Sequence, residues 1–514
     1  MTLEREPRAL IDLAAACGDV FVRAPEQEAD RLDDPPNREG STFIKGLSFD
    51  SRAVGPGHLF FCIPGTVADG HAFAAQAVEN GAVALCVERP TGAGVPEIVV
   101  SDARIAMARI AAEAYGHPGD DLLLLGITGT NGKTTTAFLL DSILRVSGKT
   151  TGLIGTIETR IAGQHRPGVR TTPESLDLQA LLADMRDEGV TAVAMEVTSH
   201  ALAMQRVEGL RFEVAAFTNL SQDHLDFHTD MEDYFTAKKT LFTPEHAERG
   251  VTNLEDPYGE RLFEQSAIPV VGFGHHPSSA VTVEKISSGP WGSEFVIAFE
   301  GKEEIKVATP LVGHFNVSNC LAAAATAWQA GIGFEAIQVG IEQLDAVPGR
   351  FEAVDMGQPY TVVVDYSHTP DSLDNALRGA RSLAGSARVL CAFGCGGDRD
   401  RAKRPLMGAV AAVGADFIVV TSDNPRSEDP DAIIGQILEG VMGERSEGPD
   451  DVLADRREAI ARVLGAAEAG DVVVIAGKGH ETGQEFADKT IPFDDRNVAR
   501  EELTKLGFNK GGKS

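Results

Sequence analysis

The chain has 514 residues, which at about 150 residues per domain predicts roughly three domains. Lys plus Arg number 46 against 76 Asp plus Glu, a net charge of −30, with 43% hydrophobic and 24% charged residues. That balance argues against a phosphate-backbone binder, which needs a basic face, against docking on an anionic membrane and against extended disorder.

No run of about 18 apolar residues occurs, so no membrane span is expected. The first twenty residues carry acidic side chains and no clean apolar stretch, so no secretory leader is expected either. The cysteines at 17, 62, 86, 320, 391 and 395 are too scattered for a disulfide framework, and Cys391 and Cys395 miss the CxxC redox spacing. A cytoplasmic protein is expected, with no nucleic-acid or membrane partner and a monomeric state.

Along the chain, DDPPN at 33–37 reads as a loop. A helix is predicted over Ala103–Tyr115, and HPGDD at 117–121 separates it from an apolar strand, Leu122–Thr128. Further buried strands are predicted at Val190–Val197, Val214–Thr218, Val362–Asp365, Val389–Phe393, Phe417–Thr421 and Val472–Ala476. Between them lie helical stretches, including an Ala-rich one over Val317–Ala330. Near-continuous apolar strands alternating with helices imply parallel sheets covered on both faces, with ligands at the carboxyl edge. AVPGRFEAV at 346–354 marks a second boundary, and the tail NKGGKS is expected to fray. The fold class is therefore α/β in three domains: an N-terminal domain over 1–118, a central P-loop ATPase-type parallel-sheet domain over 119–345 and a C-terminal Rossmann-like domain over 346–514.

The strongest chemical signal is TGTNGKTT at 128–135, set between a hydrophobic strand and a helix. Glycines let backbone N–H groups approach phosphates, Lys133 can reach terminal phosphates and Thr134 can hold Mg²⁺. The strict GxxxxGK[ST] pattern is missed, because its first position is Ile127. In so acidic a chain, bound phosphate must be held by a local site working against the global field.

The loop resembles the ATP loop of the Mur ligase and folylpolyglutamate synthetase superfamily. The order of further motifs is similar to the tripeptide-forming branch of the Mur ligases: EVTSHAL at 196–202, TNLSQDHLDFH at 218–228, YFTAKKTLF at 234–242 and GHFNVSN at 313–319. PGRFE at 348–352, DYSHTPDSL at 365–373, FGCGGDRDRAKRPLM at 393–407, SDNPRSED at 422–429 and GKGHE at 477–481 complete the series. LSFDSRAVGPGHLFFCIPGTVADGH in the N-terminal segment is similar to a uridine-nucleotide module.

The resemblance implies an ATP-driven amide bond between the D-glutamate γ-carboxylate of UDP-MurNAc-L-Ala-D-Glu and an amine of meso-diaminopimelate, through an acyl phosphate. It implies that ATP is held by Gly129, Thr130, Asn131, Gly132, Lys133, Thr134 and Thr135, with Asn316 and Asn319 at the adenine and Arg350 and Asp365 at phosphates and ribose. Lys133, His224 and Lys238 are the implied catalytic residues. Mg²⁺ would take Thr134, Glu196, His224 and Lys238, the last as a carbamate formed with CO₂ (N6-carboxylysine). Phe49, Ser51, Thr66, Val67 and Ala68 correspond to uridine-nucleotide contacts, and Thr171, Thr172, Thr198 and Arg206 to muramoyl-dipeptide contacts. Met204 departs from the pattern, standing where a Gln is common.

For the added amino acid the implied contacts are Arg399, Asp423, Asn424, Pro425, Arg426, Gly477 and Glu481. Asn424-Pro425 forces a turn after the strand, lifting Arg426 to the ligand edge, and its planar guanidinium suits a carboxylate that lysine lacks. A folate ligase would lack the uridine module and DNPR. A GTPase switch would need NKxD, which is absent, and FGCGGDRD lacks the GxGxxG dinucleotide spacing. Ligands divided between segments imply closure of the third over the second, which would keep water from the acyl phosphate.

Overall fold

The computed structural model describes residues 7–18, 21–23, 42–65, 68–168, 170–289, 292–300 and 303–509. The DDPPN loop, the end of the tail, and Thr66 and Val67 lie outside these residues. The chain forms two compact units, one from 1–126, 149–214 and 240–248, the other from 127–148, 215–239 and 249–514.

In the first unit a five-stranded sheet runs in the order Phe21–Arg23, Glu97–Val99, Ala82–Val87, His58–Phe61, Gly46–Ser48. Its pairings are parallel except at Phe21–Arg23. The predicted helix Ala103–Tyr115 is present with those bounds, begun by Asp102, whose carboxylate accepts from the N–H groups of Arg104 and Ile105. Its apolar stripe of Ala103, Met107, Ile110 and Ala114 shares a core with Leu47, Leu59 and Phe61 of the sheet. The helix Ser175–Asp187 adds Leu176, Ala180 and Ala183 to the same core. The strand predicted over 190–197 occupies Ala192–Glu196 and pairs in parallel with Thr151–Ile154.

In the second unit the last segment builds a six-stranded sheet. Its order is Glu352–Ala353, Thr361–Asp365, Val472–Ala476, Val389–Phe393, Phe417–Thr421, Asp451–Leu453, parallel apart from the first pair. Side chains alternate between faces along each strand. Val363, Cys391, Val420 and Val474 pack on the helices Pro370–Ala384, Lys403–Gly414 and Pro430–Glu444. Val362, Val364, Leu390, Val419 and Val473 pack on Arg456–Ala466 and Asp495–Lys505. Helices on both faces leave the carboxyl ends of the strands, at Asp365, Phe393, Thr421 and Ala476, as the open edge. A meander that the sequence reading did not anticipate, Ser279–Gly289, Gly292–Phe299 and Glu303–Thr309, is antiparallel throughout.

Candidate functional site

The strand Leu123–Thr128 runs into a tight loop and then the helix Lys133–Val146, the context a phosphate loop requires. Gly129 has φ +150° and Gly132 φ +84°. A Cβ at Gly129 would lie 1.9 Å from Thr218 Oγ1, and one at Gly132 would lie 2.3 Å from Asn319 Oδ1, so both positions require glycine. The loop is braced from behind. Thr218 Oγ1 donates to Asn131 O at 2.6 Å, the Asn131 N–H donates to Asn219 Oδ1 at 2.9 Å, and the Thr130 and Tyr234 hydroxyls are 3.1 Å apart. Thr135 is buried in the first turn of the helix.

Three expected cation-side and metal-side residues converge on this loop. Lys133 Nζ donates to the carbonyls of Gly129 and Thr130, each at 2.8 Å. Lys238, on the helix Met231–Lys239, is 1% exposed and donates to Gly129 O at 2.8 Å, with its ammonium 4.6 Å from the Tyr234 ring centroid. Burial, reinforced by the Lys133 charge, drives the Lys238 amine well below the usual lysine range and so toward its neutral form. His224 has φ +57° and lies with Nε2 3.5 Å from Asp223 Oδ2. Burial is the chief cause that pulls its imidazole down to about 4, with the Lys133 and Lys238 charges adding to it against Asp223. A neutral imidazole can offer a lone pair.

Thr134, in the first turn, accepts a hydrogen bond from Arg350 Nη2 at 3.1 Å. The Arg350 guanidinium stacks 4.6 Å over the Tyr366 ring. Asp365 ends its strand and accepts from the Phe351 N–H at 2.7 Å and from Ser367 Oγ. Its carboxyl is raised by burial, partly offset by Ser367 and Arg350. Asn316 and Asn319 lie on the helix His314–Gln329, which begins three residues before the predicted start. Asn319 Nδ2 donates to Asn316 Oδ1 at 3.0 Å, and Asn316 Nδ2 donates to Val312 O at 2.8 Å. Gly313 occupies the N-cap position, so Asn319 is no cap; it faces Gly132 of the phosphate loop.

In the first unit Glu196 ends its strand buried, accepting from Thr156 N–H at 2.9 Å and Thr156 Oγ1 at 3.0 Å. The expected dipeptide contacts continue from it. Thr156 and Thr171 hydroxyls are 3.0 Å apart, and Thr172 Oγ1 donates to Glu196 O at 2.9 Å. Thr198 caps the helix Ser199–Ala203 through the Ala201 N–H. Arg206 donates to Thr172 O at 3.1 Å, pairs with Glu174 at 2.7 Å and touches Met204 Sδ at 3.5 Å. The methionine in the expected Gln position thus lies against the arginine, offering a weak acceptor. Further out, Phe49 packs on the N-terminal core, Ser51 Oγ donates to Gln76 Oε1 at 3.0 Å, and Ala68 is exposed with its carbonyl accepting from Gly65 N–H.

The residues expected to contact the added amino acid gather at the carboxyl edge of the last sheet. Asp423, Asn424 and Pro425 are buried. Asn424 Nδ2 donates to Glu481 Oε2 at 2.7 Å. Arg426 has φ +50°, a left-handed conformation costly for a residue other than glycine, and its Nε donates to Glu485 Oε2 and its Nη1 to Gly397 O, both at 2.8 Å. Gly477 approaches the Asp423 carboxylate, and Arg399 is exposed, donating to Asp398 O at 3.1 Å. Among the described residues no group of three or more His, Cys, Asp or Glu side chains is placed to hold a metal ion; the expected set relies instead on a threonine and a modified lysine.

Three family models match the chain: "Mur ligase family, catalytic domain" over 43–115, "Mur ligase middle domain" over 127–327 and "Mur ligase, glutamate ligase domain" over 349–479. The chain is 46% identical over 501 residues to the UDP-N-acetylmuramoyl-L-alanyl-D-glutamate–2,6-diaminopimelate ligase of Streptomyces avermitilis, covering 96% of both chains. It is 49% identical over 477 residues to the ligase of the same name from Solibacter usitatus, covering 91% of this chain and 95% of that one. A solved structure of a ligase with that name matches with TM-score 0.66 and 31% identity, covering 95% of this chain and all of the other.

The chain belongs to the Mur ligase family.

In this Mur ligase no helix among the described residues is long and apolar enough to cross a membrane. Several residues at the site were not singled out individually in the sequence, although Asp371, Glu428 and Lys478 lie within its motifs. Glu174 pairs with both Arg170 and Arg206. Asp371 accepts from Asn131 Nδ2 at 2.6 Å and Ser221 Oγ at 3.0 Å. Glu428 engages Arg404 through both oxygens, bracing the turn after Phe393 against the DNPR turn. Lys478 is enclosed between the DNPR and GKGHE turns. Each is a polar residue in a polar stretch, and only burial or long-range pairing sets it apart.

Proposed function

We propose that this Mur ligase joins meso-2,6-diaminopimelate to the γ-carboxylate of D-glutamate in UDP-MurNAc-L-Ala-D-Glu, with ATP cleaved to ADP and phosphate. The observation that carries this reading is a phosphate loop with Lys133 and Lys238 at Gly129, combined with a DNPR turn whose Arg426 stands at a sheet's ligand edge. The similarity over nearly the whole chain to ligases named for this reaction supports it. The chain is read as three modules, 1–118 for the uridine nucleotide, 119–345 for ATP and 346–514 for the amino acid.

The D-glutamate carboxylate attacks the γ-phosphorus of ATP, and the bond to the β-bridging oxygen breaks, leaving an acyl phosphate and ADP. The amine then adds to the acyl carbon, phosphate departs and the ammonium proton is lost to solvent. In an acidic protein the meeting of two anions needs local positive charge. Lys133 and the N–H groups at the start of Lys133–Val146 supply it at the phosphates, and Arg206 supplies it toward the dipeptide.

Thr134 fits the binding of Mg²⁺ as a hydroxyl oxygen, His224 would add a neutral nitrogen donor that matches an oxygen-preferring cation less well, Glu196 is carried into the set by resemblance, and Lys238 would offer oxygen only after modification. CO₂ adding to the neutral Lys238 amine would give that oxygen donor, with one proton released. Bound Mg²⁺ would neutralise charge on the phosphates. Asp371, Asn131 and Ser221 hold the loop, Arg350 and Asp365 hold the other end of ATP, and Asp423, Arg426 and Glu481 orient the amino acid.

Phosphate release is measured with ATP, Mg²⁺ and UDP-MurNAc-L-Ala-D-Glu, adding meso-diaminopimelate, L-lysine or nothing. Turnover is expected only with diaminopimelate and is lost in Arg426→Ala, because a carboxylate left without its guanidinium partner costs about 2–5 kcal/mol. Equal turnover with lysine would overturn the substrate assignment.

A further inference from the structure

Lys478 sits at the middle of the amino-acid subsite, yet the proposed reaction gives it no task. Its side chain is 0% exposed. Nζ donates to Asn424 Oδ1 at 2.8 Å and to Glu481 Oε2 at 3.0 Å, and lies 3.6 Å from Asp423 Oδ1. Asn424 closes the ring by donating from Nδ2 to the same Glu481 oxygen at 2.7 Å, and its Oδ1 also accepts the Glu485 N–H at 3.0 Å. Asp423 Oδ1 is buried and makes no hydrogen bond.

We infer that Lys478 is a positioning residue for the added amino acid, fixing Glu481 and Asn424 and compensating the carboxylates of Asp423 and Glu481 before the substrate enters. The inference rests on the assignment of these two turns to diaminopimelate.

Two turns from different strands must be held in register for one small zwitterion. The DNPR turn follows Phe417–Thr421, and the GKGHE turn follows Val472–Ala476. Backbone pairing does not join those two strands, because Val389–Phe393 lies between them. The ammonium of Lys478 is one cross-link between the turns, beside the bonds from the Arg426 N–H to Glu485 O and from Gln484 Nε2 to Asp423 O. With the Glu485 N–H it sets which way the Asn424 amide faces: both can only donate, so Oδ1 turns toward them and Nδ2 is left to donate to Glu481. Lys478 faces a buried Asp423 carboxylate and a partly exposed Glu481 carboxylate, so one negative charge is left for an incoming substrate ammonium to balance. Without Lys478 the Asp423 and Glu481 carboxylates lose their shared ammonium, and Asn424 Oδ1 loses one of its two donors.

A core cation that merely holds the fold would affect every substrate alike. The test therefore separates the three KM values. Full-length Lys478→Met and Lys478→Gln are assayed by phosphate release, varying diaminopimelate, ATP and UDP-MurNAc-L-Ala-D-Glu in turn. The KM for diaminopimelate is expected to rise about 10–100-fold in Lys478→Met, the value of one or two charge-assisted hydrogen bonds. The other two KM values should stay within about twofold, and Lys478→Gln, which keeps an N–H donor, should fall between. An unchanged KM for diaminopimelate, a common shift in all three, or loss of the circular dichroism of both variants overturns the inference. Wild-type enzyme that fails to use diaminopimelate would instead sink the proposed substrate and is read in the same plate.

Discussion

Lys238 shows how a residue's environment can disfavour its encoded charge. In sequence, Lys238 and Lys239 look like one solvated pair. In the structure Lys239 reaches Gln265 at the surface, while Lys238 is buried against Gly129 O and the Tyr234 ring. Burial first, and then the Lys133 charge, disfavour the ammonium of Lys238 and shift it toward the neutral amine, the form that reacts with CO₂. Assay in CO₂-stripped buffer is expected to lower wild-type turnover, with bicarbonate restoring it. Lys238→Arg keeps a cation but cannot form the carbamate, so its turnover should lie roughly 10²–10³-fold down and ignore bicarbonate. A wild-type enzyme indifferent to bicarbonate would remove the carbamate from the mechanism.

At the scale of elements, the last sheet was the most legible part of the chain. Val389–Phe393, Phe417–Thr421 and Val472–Ala476 coincide with their predicted bounds because both faces of each strand are buried, which writes an unbroken apolar run. The meander over 279–309 escaped because its exposed positions interleave Glu284, Lys285, Glu294 and Lys306 with apolar ones. The GKGHE and DNPR motifs pointed to the ligand edge, but Lys478 gave no signal, since burial between two turns is a tertiary property. Arg456 and Asp495 were equally silent. Both are 0% exposed, and Arg456 joins Asp495 to the carbonyls of Ser422 and Ala476, bracing the ends of two strands. Asp495→Ala leaves that guanidinium uncompensated and should cost about 3–5 kcal/mol of stability, measured by urea unfolding. Arg456→Met combined with Asp495→Leu should recover much of it. A double variant no better than the single one would show that the carbonyl contacts, not the ion pair, carry the bracing.

Over the whole molecule, the charge of −30 and the proposed substrates pull in opposite directions. ATP and the uridine-linked dipeptide are polyanions, so the long-range field slows their approach. In the proposed reaction Lys133, Arg206 and Arg350 would each act at contact distance, where salt screens little. Raising ionic strength shortens the screening length from about 30 Å at 0.01 M to about 8 Å at 0.15 M. The distant repulsion is removed first and the contacts are largely kept. The expected result is a rise in kcat/KM for ATP and for UDP-MurNAc-L-Ala-D-Glu across that range, roughly 2- to 10-fold at constant free Mg²⁺. meso-Diaminopimelate carries two carboxylates and two ammonium groups, so its kcat/KM should stay flat and serve as an internal control. A fall with salt for both anions would mean that the cations of the site reach further than the acidic surface. The binding surfaces would then be shielded from the rest of the molecule's charge.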